Sequence, residues 1–193
     1  MISAIILAAG ESKRMGQPKM LLKWGETTVI NRVIATFQDA RVEDILVVLG
    51  GAKEQVEQAI GDSASMVFNA SYARGEMLSS VQAGLVEMKP EADAVLIGLG
   101  DQPQIEAGSV RLVMDAYQRT GASIVVPSYQ RRRGHPWLVA RTHWNAILQM
   151  RVPDTLRDFL HQHSREIYYV DMDSPSILQD LDTPEDYLNS RPQ

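Results

Sequence analysis

The stretch Ala4-Ile5-Ile6-Leu7-Ala8-Ala9-Gly10-Glu11-Ser12-Lys13-Arg14-Met15-Gly16-Gln17-Pro18-Lys19 decides how this chain is read. A largely apolar run from Ile2 to Ala9 stops at Gly10. The next ten residues hold two glycines, one serine and three cations. The run is short and rich in isoleucine, which fits a buried strand better than a helix. A flexible cationic loop then leaves the carboxyl end of that strand, where open α/β sheets bind their ligands. Gly10 and Gly16 permit close backbone approach and positive φ, so amide groups can turn toward an anion. Ser12 adds a hydrogen-bond donor, and Arg14 and Lys19 add charge. This loop suits a polyphosphate. The plainer alternative is a strand-to-helix turn with solvated cations.

Two common phosphate loops are excluded. No glycine is followed four residues later by Gly-Lys-Ser/Thr, and no Gly-x-Gly-x-x-Gly is present. A dinucleotide-dependent dehydrogenase is therefore disfavoured.

Outward from this stretch, apolar runs alternate with helical patterns. Residues 44–49, 65–68, 94–99, 123–126 and 167–170 read as strands. Amphipathic segments near 27–38, 53–60, 78–88 and 107–119 separate them. The alternation implies βαβ units and a mostly parallel sheet with helices on both faces. Pro136-Trp137-Leu138-Val139 reads as a further strand of undetermined direction, and Pro153-Asp154 as the opening of a helix. No repeat, low-complexity segment or linker divides the 193 residues, which suits one domain over 1–193.

Composition narrows the partners. A formal charge of −5 gives no reason to expect nucleic acid. No apolar run reaches the length of a membrane span, and no signal peptide is visible, so the cytoplasm is the expected compartment. The absence of cysteine removes disulfides, thiolate metal sites and cysteine catalysis.

The pattern Leu7-Ala8-Ala9-Gly10-x-Ser12-x-Arg14-Met15-Gly16-x-Pro18-Lys19 resembles the signature of MobA-like nucleotidyltransferases. Its Ala-Ala-Gly form is more similar to the molybdenum cofactor cytidylyltransferase branch than to the guanylyltransferase branch, which usually reads Ala-Gly-Gly. The resemblance continues, in order, through Lys19-Met20-Leu21-Leu22, Asp101-Gln102-Pro103, Gly134-His135-Pro136 and Asp182-Thr183-Pro184-Glu185-Asp186-Tyr187. It implies a Rossmann-like three-layer α/β sandwich with one antiparallel strand. It also implies transfer of CMP from CTP, or of another nucleotide, to a phosphorylated acceptor such as molybdopterin, with a molybdoenzyme as a possible downstream partner. Leu7, Ala8, Ala9, Gly10, Ser12, Arg14, Lys19, Ser80 and Asp101 are then expected at the nucleotide, with Lys19, Arg14 and Asp101 assisting the reaction.

Asp101 follows a strand and precedes Pro103, so its carboxylate faces the crevice and can hold Mg²⁺ against phosphates. The alternative is a turn-forming Asp. Thr183 reads as an N-cap with Pro184 at the first helical position. Asp182 stands before the cap, and the resemblance makes it the second metal carboxylate. Tyr72-Ala73-Arg74-Gly75-Glu76-Met77-Leu78-Ser79-Ser80-Val81-Gln82-Ala83-Gly84 resembles the family's Gly-Met-x-x-Ser-Leu-x-x-Gly segment, with Glu76 replacing a glycine. It suggests that Ser79 and Ser80 reach the base or ribose.

Arg131-Arg132-Arg133-Gly134-His135-Pro136 reads as a cationic loop. Arg133 can grip an acceptor phosphate and His135 can hydrogen-bond the acceptor, although charge runs are often only solvated. His161 and His163, two apart on a helix, make a poor metal pair. Trp24, Trp137 and Trp144 read as packing residues. One departure concerns the acceptor. Relatives of the cytidylyltransferase branch carry a Gly-Asp-x-Gly-Ala-Arg-like stretch where this chain reads Val152-Pro153-Asp154-Thr155-Leu156-Arg157-Asp158. The readings that compete with molybdopterin are a sugar or alditol phosphate acceptor, and a non-catalytic carrier of finished cofactor.

Overall fold

The computed structural model describes residues 1–74 and 76–192, with Glu76 described by its backbone alone. Gly75 of the Tyr72–Gly84 segment and the Glu76 side chain therefore lie outside the described residues. In chain order the strands are β1 (Ile2–Ala8), β2 (Lys23–Trp24), β3 (Thr27–Thr28), β4 (Asp44–Leu49), β5 (Ser65–Phe68), β6 (Ala94–Leu99), β7 (Ile124–Tyr129), β8 (Arg132–Arg133), β9 (Trp137–Ala140) and β10 (Ile167–Asp171). The helices are α1 (Val29–Asp39), α2 (Lys53–Ile60), α3 (Glu76–Val86), α4 (Ala107–Thr120), α5 (Trp144–Gln149), α6 (Leu156–Gln162) and α7 (Pro184–Ser190).

The main sheet runs β10-β7-β9-β6-β1-β4-β5, with β8 paired to β7. β1 lies between β4 and β6, parallel to both. That central place explains its unbroken burial from Ser3 to Ala8: both faces are covered by helices, so both alternating sets of side chains must be apolar. Ala4, Ile6 and Ala8 pack with Ile30, Ile34 and Phe37 of α1 and Val110 and Val113 of α4. Ile5, Leu7 and Ala9 pack on the other side with Leu78 and Val81 of α3, Trp144 of α5 and Phe159 of α6. The result is a three-layer α/β sandwich. Ser3 is the polar exception inside β1, and its hydroxyl donates to Asp44 Oδ2 at 2.8 Å.

The expected antiparallel strand is β9, which opposes both β6 and β7. The two-residue β8 is also antiparallel, because 129–132 close a tight hairpin on β7. Gln130 (φ 49°) and Arg131 (φ 64°) both take positive φ at its tip, the conformation that two-residue hairpin turns need. Gln and Arg do not announce such a turn, so sequence alone reads this stretch as a loop. A second correction concerns α6. It opens at Leu156 rather than at Pro153-Asp154. Thr155 is its N-cap and forms a reciprocal capping box with Asp158, a stronger start signal than one acidic residue near a proline. The reading of Thr183 as N-cap, Pro184 at the first position and Asp186 at the third is met in α7.

Strand order places a switch point at β1. The chain leaves β1 for β4 and β5 on one side, and returns to β6 on the other. Crevices at such points bind ligands outside the carboxyl ends of the strands. Here those ends bring the loop after Ala8, Gly50 after β4, Asn69 after β5 and Asp101 after β6 to one edge of the sheet. Gly50 is required there: a Cβ on it would collide with the backbone of Ala9. Gly10, by contrast, has nothing within 4 Å of its would-be Cβ, and the left-handed conformations in this loop belong to Ser12 and Gly16. Gly50→Ala should therefore lower stability by about 1–3 kcal/mol through backbone overpacking, whereas Gly10→Ala should leave the urea midpoint almost unchanged. Unfolding curves of the two variants, compared with wild type, check both.

Candidate active site

The glycine loop is folded back on itself. Lys19 N–H donates to Ser12 Oγ at 3.0 Å, and Met15 N–H donates to the Ser12 carbonyl at 2.9 Å. Ser12 thus closes the loop through its oxygens and keeps its hydroxyl proton available. Met15 turns inward and joins Leu22, Trp24, Val29 and Leu181 in a small separate core. Leu181 is completely buried, and its N–H donates to the Asp101 carbonyl at 3.0 Å. That packing brings a segment almost at the end of the chain against the first loop and the end of β6.

The consequence is a cluster of charge. The Lys19 ammonium donates to Asp101 Oδ2 and lies 3.5 Å from Asp182 Oδ1. Arg14 Nη2 donates to Asp182 Oδ2 at 3.1 Å. Lys19 and Asp101 are largely buried, while Asp182 and Arg14 are exposed. The four side chains singled out in sequence for phosphate and metal therefore meet. Two carboxylates converge on one cation, and their hard oxygen donors fit Mg²⁺.

Asp180 is a residue that sequence reading missed. It accepts from Gln102 Nε2 at 2.6 Å. Partial burial of its carboxyl, reinforced by the nearby Asp101 charge, pushes its pKa above the ordinary aspartate value. The signal that could have found it was its place in Asp180-Leu181-Asp182, with an apolar residue between two acids.

Two cavities flank this cluster. One, of about 290 Å³, is lined by Gly10, Ser12, Arg14, Lys19 and Asp182. The larger, of about 730 Å³, lies between β6, β8, β9 and α6, with Gln102, Arg133, His135, Trp137, Arg157 and Asp180 among its walls. The segment Val152–Asp158, where the sequence departs from its relatives, contributes Thr155, Leu156 and Arg157 to that wall. Arg133 also sits over the Tyr169 ring at 5.4 Å. Trp137 packs as expected, but it also stacks on His135 at 4.6 Å. Its indole nitrogen, like Gln102 Oε1, is buried without a hydrogen-bond partner among the described residues.

Ser80 is placed differently from a residue at an open surface. It is buried, and its hydroxyl accepts from Asn69 Nδ2 at 3.1 Å. The same amide donates to Ser79 Oγ at 2.9 Å, while Asn69 Oδ1 accepts from Ser71 N–H. Asn69 thus organises the junction of β5 and α3.

A cationic glycine loop, converging carboxylates and two neighbouring cavities thus lie at one edge of the sheet. The sequence matches the MobA-like NTP transferase domain over residues 4–167, and the chain belongs to that family. It is a nucleotidyltransferase. It is 29% identical over 191 residues to the molybdenum cofactor cytidylyltransferase of Escherichia coli (strain K12), covering 98% of this chain and 95% of that one. A bifunctional protein GlmU of Clostridium kluyveri is 30% identical over 165 residues, which span 81% of this chain and 35% of that protein. Among solved structures, Rv0371c from Mycobacterium tuberculosis H37Rv superposes with a TM-score of 0.85 at 28% identity, covering 97% of this chain and 96% of that one. Rv0371c has also been solved as a complex with manganese, with a TM-score of 0.78 at 27% identity and the same coverage. No helix among the described residues is long and apolar enough to cross a membrane.

His135 supplies a pH signature. Its Nδ1 lies 3.1 Å from the Ile97 carbonyl. Since a carbonyl only accepts, Nδ1 carries the proton and Nε2 keeps its lone pair. Burial lowers the pKa from 6.5 to about 4, against the opposing pull of the Ile97 carbonyl and Asp101. The folded ring is then neutral at pH 7 and acts by hydrogen bonding, not charge. Because the folded pKa is depressed, this stabilisation is full above 6.5 and is lost as the pH falls through about 4. At pH 5 the cost amounts to at most about 2 kcal/mol, since the ring edge still meets cavity solvent. His135→Gln should therefore lose less stability than wild type between pH 7 and pH 5, as urea unfolding at the two pH values would show.

Proposed function

We propose that this protein transfers CMP from CTP to the phosphate of molybdopterin or its molybdenum-loaded form, releasing pyrophosphate. The observation that carries the reading is the convergence of Asp101 and Asp182 on Lys19, at the mouth of the glycine loop. In the reaction an acceptor phosphate oxygen attacks the α-phosphorus. The bond from the α-phosphorus to the oxygen that bridges to the β-phosphate breaks, and pyrophosphate leaves. Such chemistry rests on positioning and charge neutralisation, with no protein nucleophile required.

Each residue has a part. The backbone from Leu7 to Gly10 and the open space over Gly10 admit the nucleotide. Ser12 donates its remaining proton to a phosphate oxygen. Lys19 and Arg14, now neutralised by carboxylates, turn to the triphosphate as it enters. Asp101 and Asp182 would then hold Mg²⁺, which when bound neutralises phosphate charge as a hard cation. The manganese complex of Rv0371c supports a divalent ion in a related fold. Ser79 and Ser80, held by Asn69, stand on the same face of the sheet as Leu7 and Ala9 and are proposed for the base or ribose. In the larger cavity Arg133 takes the acceptor phosphate. The His135 lone pair, the Trp137 N–H and the Gln102 carbonyl oxygen offer hydrogen bonds to a polar heterocycle.

A second reading keeps the chemistry and changes the acceptor to a sugar or alditol phosphate. It is favoured by the segment Val152–Asp158, which departs from the cytidylyltransferase pattern yet lines the acceptor cavity. Pyrophosphate release with Mg²⁺, each of the four nucleoside triphosphates and each candidate acceptor decides between the two. Tight binding of finished cofactor without any turnover would instead support a carrier.

Asp101→Asn or Asp182→Asn should reduce pyrophosphate release by several orders of magnitude while the circular dichroism spectrum stays native. Undiminished turnover in either variant removes that residue from the metal site.

Base choice gives a finer test. The Ala9 methyl packs with Leu7 and Leu78 on the α3 side of the sheet. Glycine there would open room for a purine. Ala9→Gly should shift the CTP-to-GTP preference toward GTP by roughly 1–3 kcal/mol, about one methyl group's worth of discrimination. The ratio of kcat/KM values for the two nucleotides measures it.

A further inference from the structure

The opposite edge of the sheet, at the amino ends of β7 and β10, holds a second cluster of metal-binding groups. His143 ends the turn before α5, His163 caps the carboxyl end of α6, and Glu166 leads into β10. His163 Nδ1 lies 2.7 Å from Glu166 Oε1, and His143 Nε2 lies 3.4 Å from Glu166 Oε2. One donor atom from each of the three residues falls within 4.8 Å of the others. We propose that His143, His163 and Glu166 form a structural divalent-metal site, selective for Zn²⁺ over Mg²⁺.

Donor chemistry favours zinc. Two imidazole nitrogens and one carboxylate are a borderline set that suits Zn²⁺, whereas Mg²⁺ prefers oxygen donors only. Zinc holds such ligands at about 2.0–2.2 Å in a tetrahedron. The 3.4 Å between His143 Nε2 and Glu166 Oε2 already suits that geometry. Small side-chain shifts complete it.

The surroundings restrict the rings. Phe159, buried in the core, meets the His143 ring edge-on at 5.7 Å and the His163 ring at 4.7 Å. The two imidazoles lie 4.7 Å apart, nearly perpendicular. Ser123 Oγ sits 2.8 Å from His143 Nε2, and a water would complete the tetrahedron. His163 is partly exposed, so its proton can move from Nδ1 to Nε2 and free the inward lone pair with no net charge change.

The site would join two segments, the turn before α5 and the turn from α6 to β10, beside Ser123 at the lead-in to β7. None of these residues lies at the carboxyl ends of the strands where the candidate active site sits. The expected role is to tie down the outer β7–β10 pair, in the way that ligand binding to the native state stabilises a fold.

The test uses the full-length chain carrying Asp101→Asn and Asp182→Asn, so that the first metal site does not report. After chelator treatment, Zn²⁺ is titrated by calorimetry in excess Mg²⁺. One Zn²⁺ per chain, a raised Tm and zinc-dependent shifts of His143 Nε2 and His163 Nδ1 in nitrogen NMR spectra are expected. His163→Ala and Glu166→Gln should each weaken binding at least tenfold; the second is a conservative change on a half-exposed side chain, so it keeps the test valid if the first fails to fold. No Zn²⁺ binding to the parent, or unchanged affinity in Glu166→Gln, overturns the proposal.

Discussion

The Lys19 ammonium, shared between Asp101 and Asp182, is the interaction on which the active end of this molecule depends. Three aspartates, Asp101, Asp180 and Asp182, stand close enough for their charges to influence one another. Unit charges about 4 Å apart interact by about 4 kcal/mol at an effective dielectric of about 20. Such repulsion would push the carboxyl-terminal segment from the end of β6 unless a cation stood between them. Lys19 supplies that cation in the free protein, and Gln102 binds the third carboxylate. The same electrostatics make the arrangement convertible. A divalent ion can replace the ammonium between the carboxylates, and the ammonium can then follow the phosphates.

Apolar packing holds this polar joint in place. Met15 comes from the glycine loop, Trp24 from the small β2–β3 hairpin and Leu181 from the far end of the chain. Their shared burial fixes the loop and the acidic segment relative to each other independently of the ion pairs. The Tyr187 hydroxyl adds a bond to the Lys23 carbonyl at 2.7 Å, and the Thr183–Asp186 box orients α7 behind Asp182. Salt bridges between exposed groups, such as Arg14–Asp182, contribute little by themselves. They become specific because hydrophobic contacts have already removed the alternatives.

The sheet also separates two chemistries. Parallel β1, β4, β5 and β6 end together, which gathers the loops proposed for phosphate, base and metal. Antiparallel β9 enters between β6 and β7 and carries His135 and Trp137 to that same edge. Its other end runs back toward His143 and the amino end of β7. One strand of reversed direction thus links the larger cavity to the histidine cluster at the opposite edge.

The sequence by itself determined the α/β class, the first buried strand and the order of most elements, and it singled out Gly10–Lys19, Asp101 and Asp182 as candidates. Those features are local. A run of isoleucines buried on both faces, a glycine-bearing cationic loop and a Thr-Pro cap each have a short-range cause. Tertiary structure decided the rest. Asp180 acquires its raised pKa from groups far away in the chain. Ser80 lies inside because Asn69 binds it there. The Gln130-Arg131 hairpin takes positive φ without the residues that usually signal it. His163, unpromising beside His161, gains His143 and Glu166 as neighbours only when α6 packs against the turn before α5. Burial, pairing and convergence of side chains belong to the folded chain as a whole, and no window along the sequence contains them.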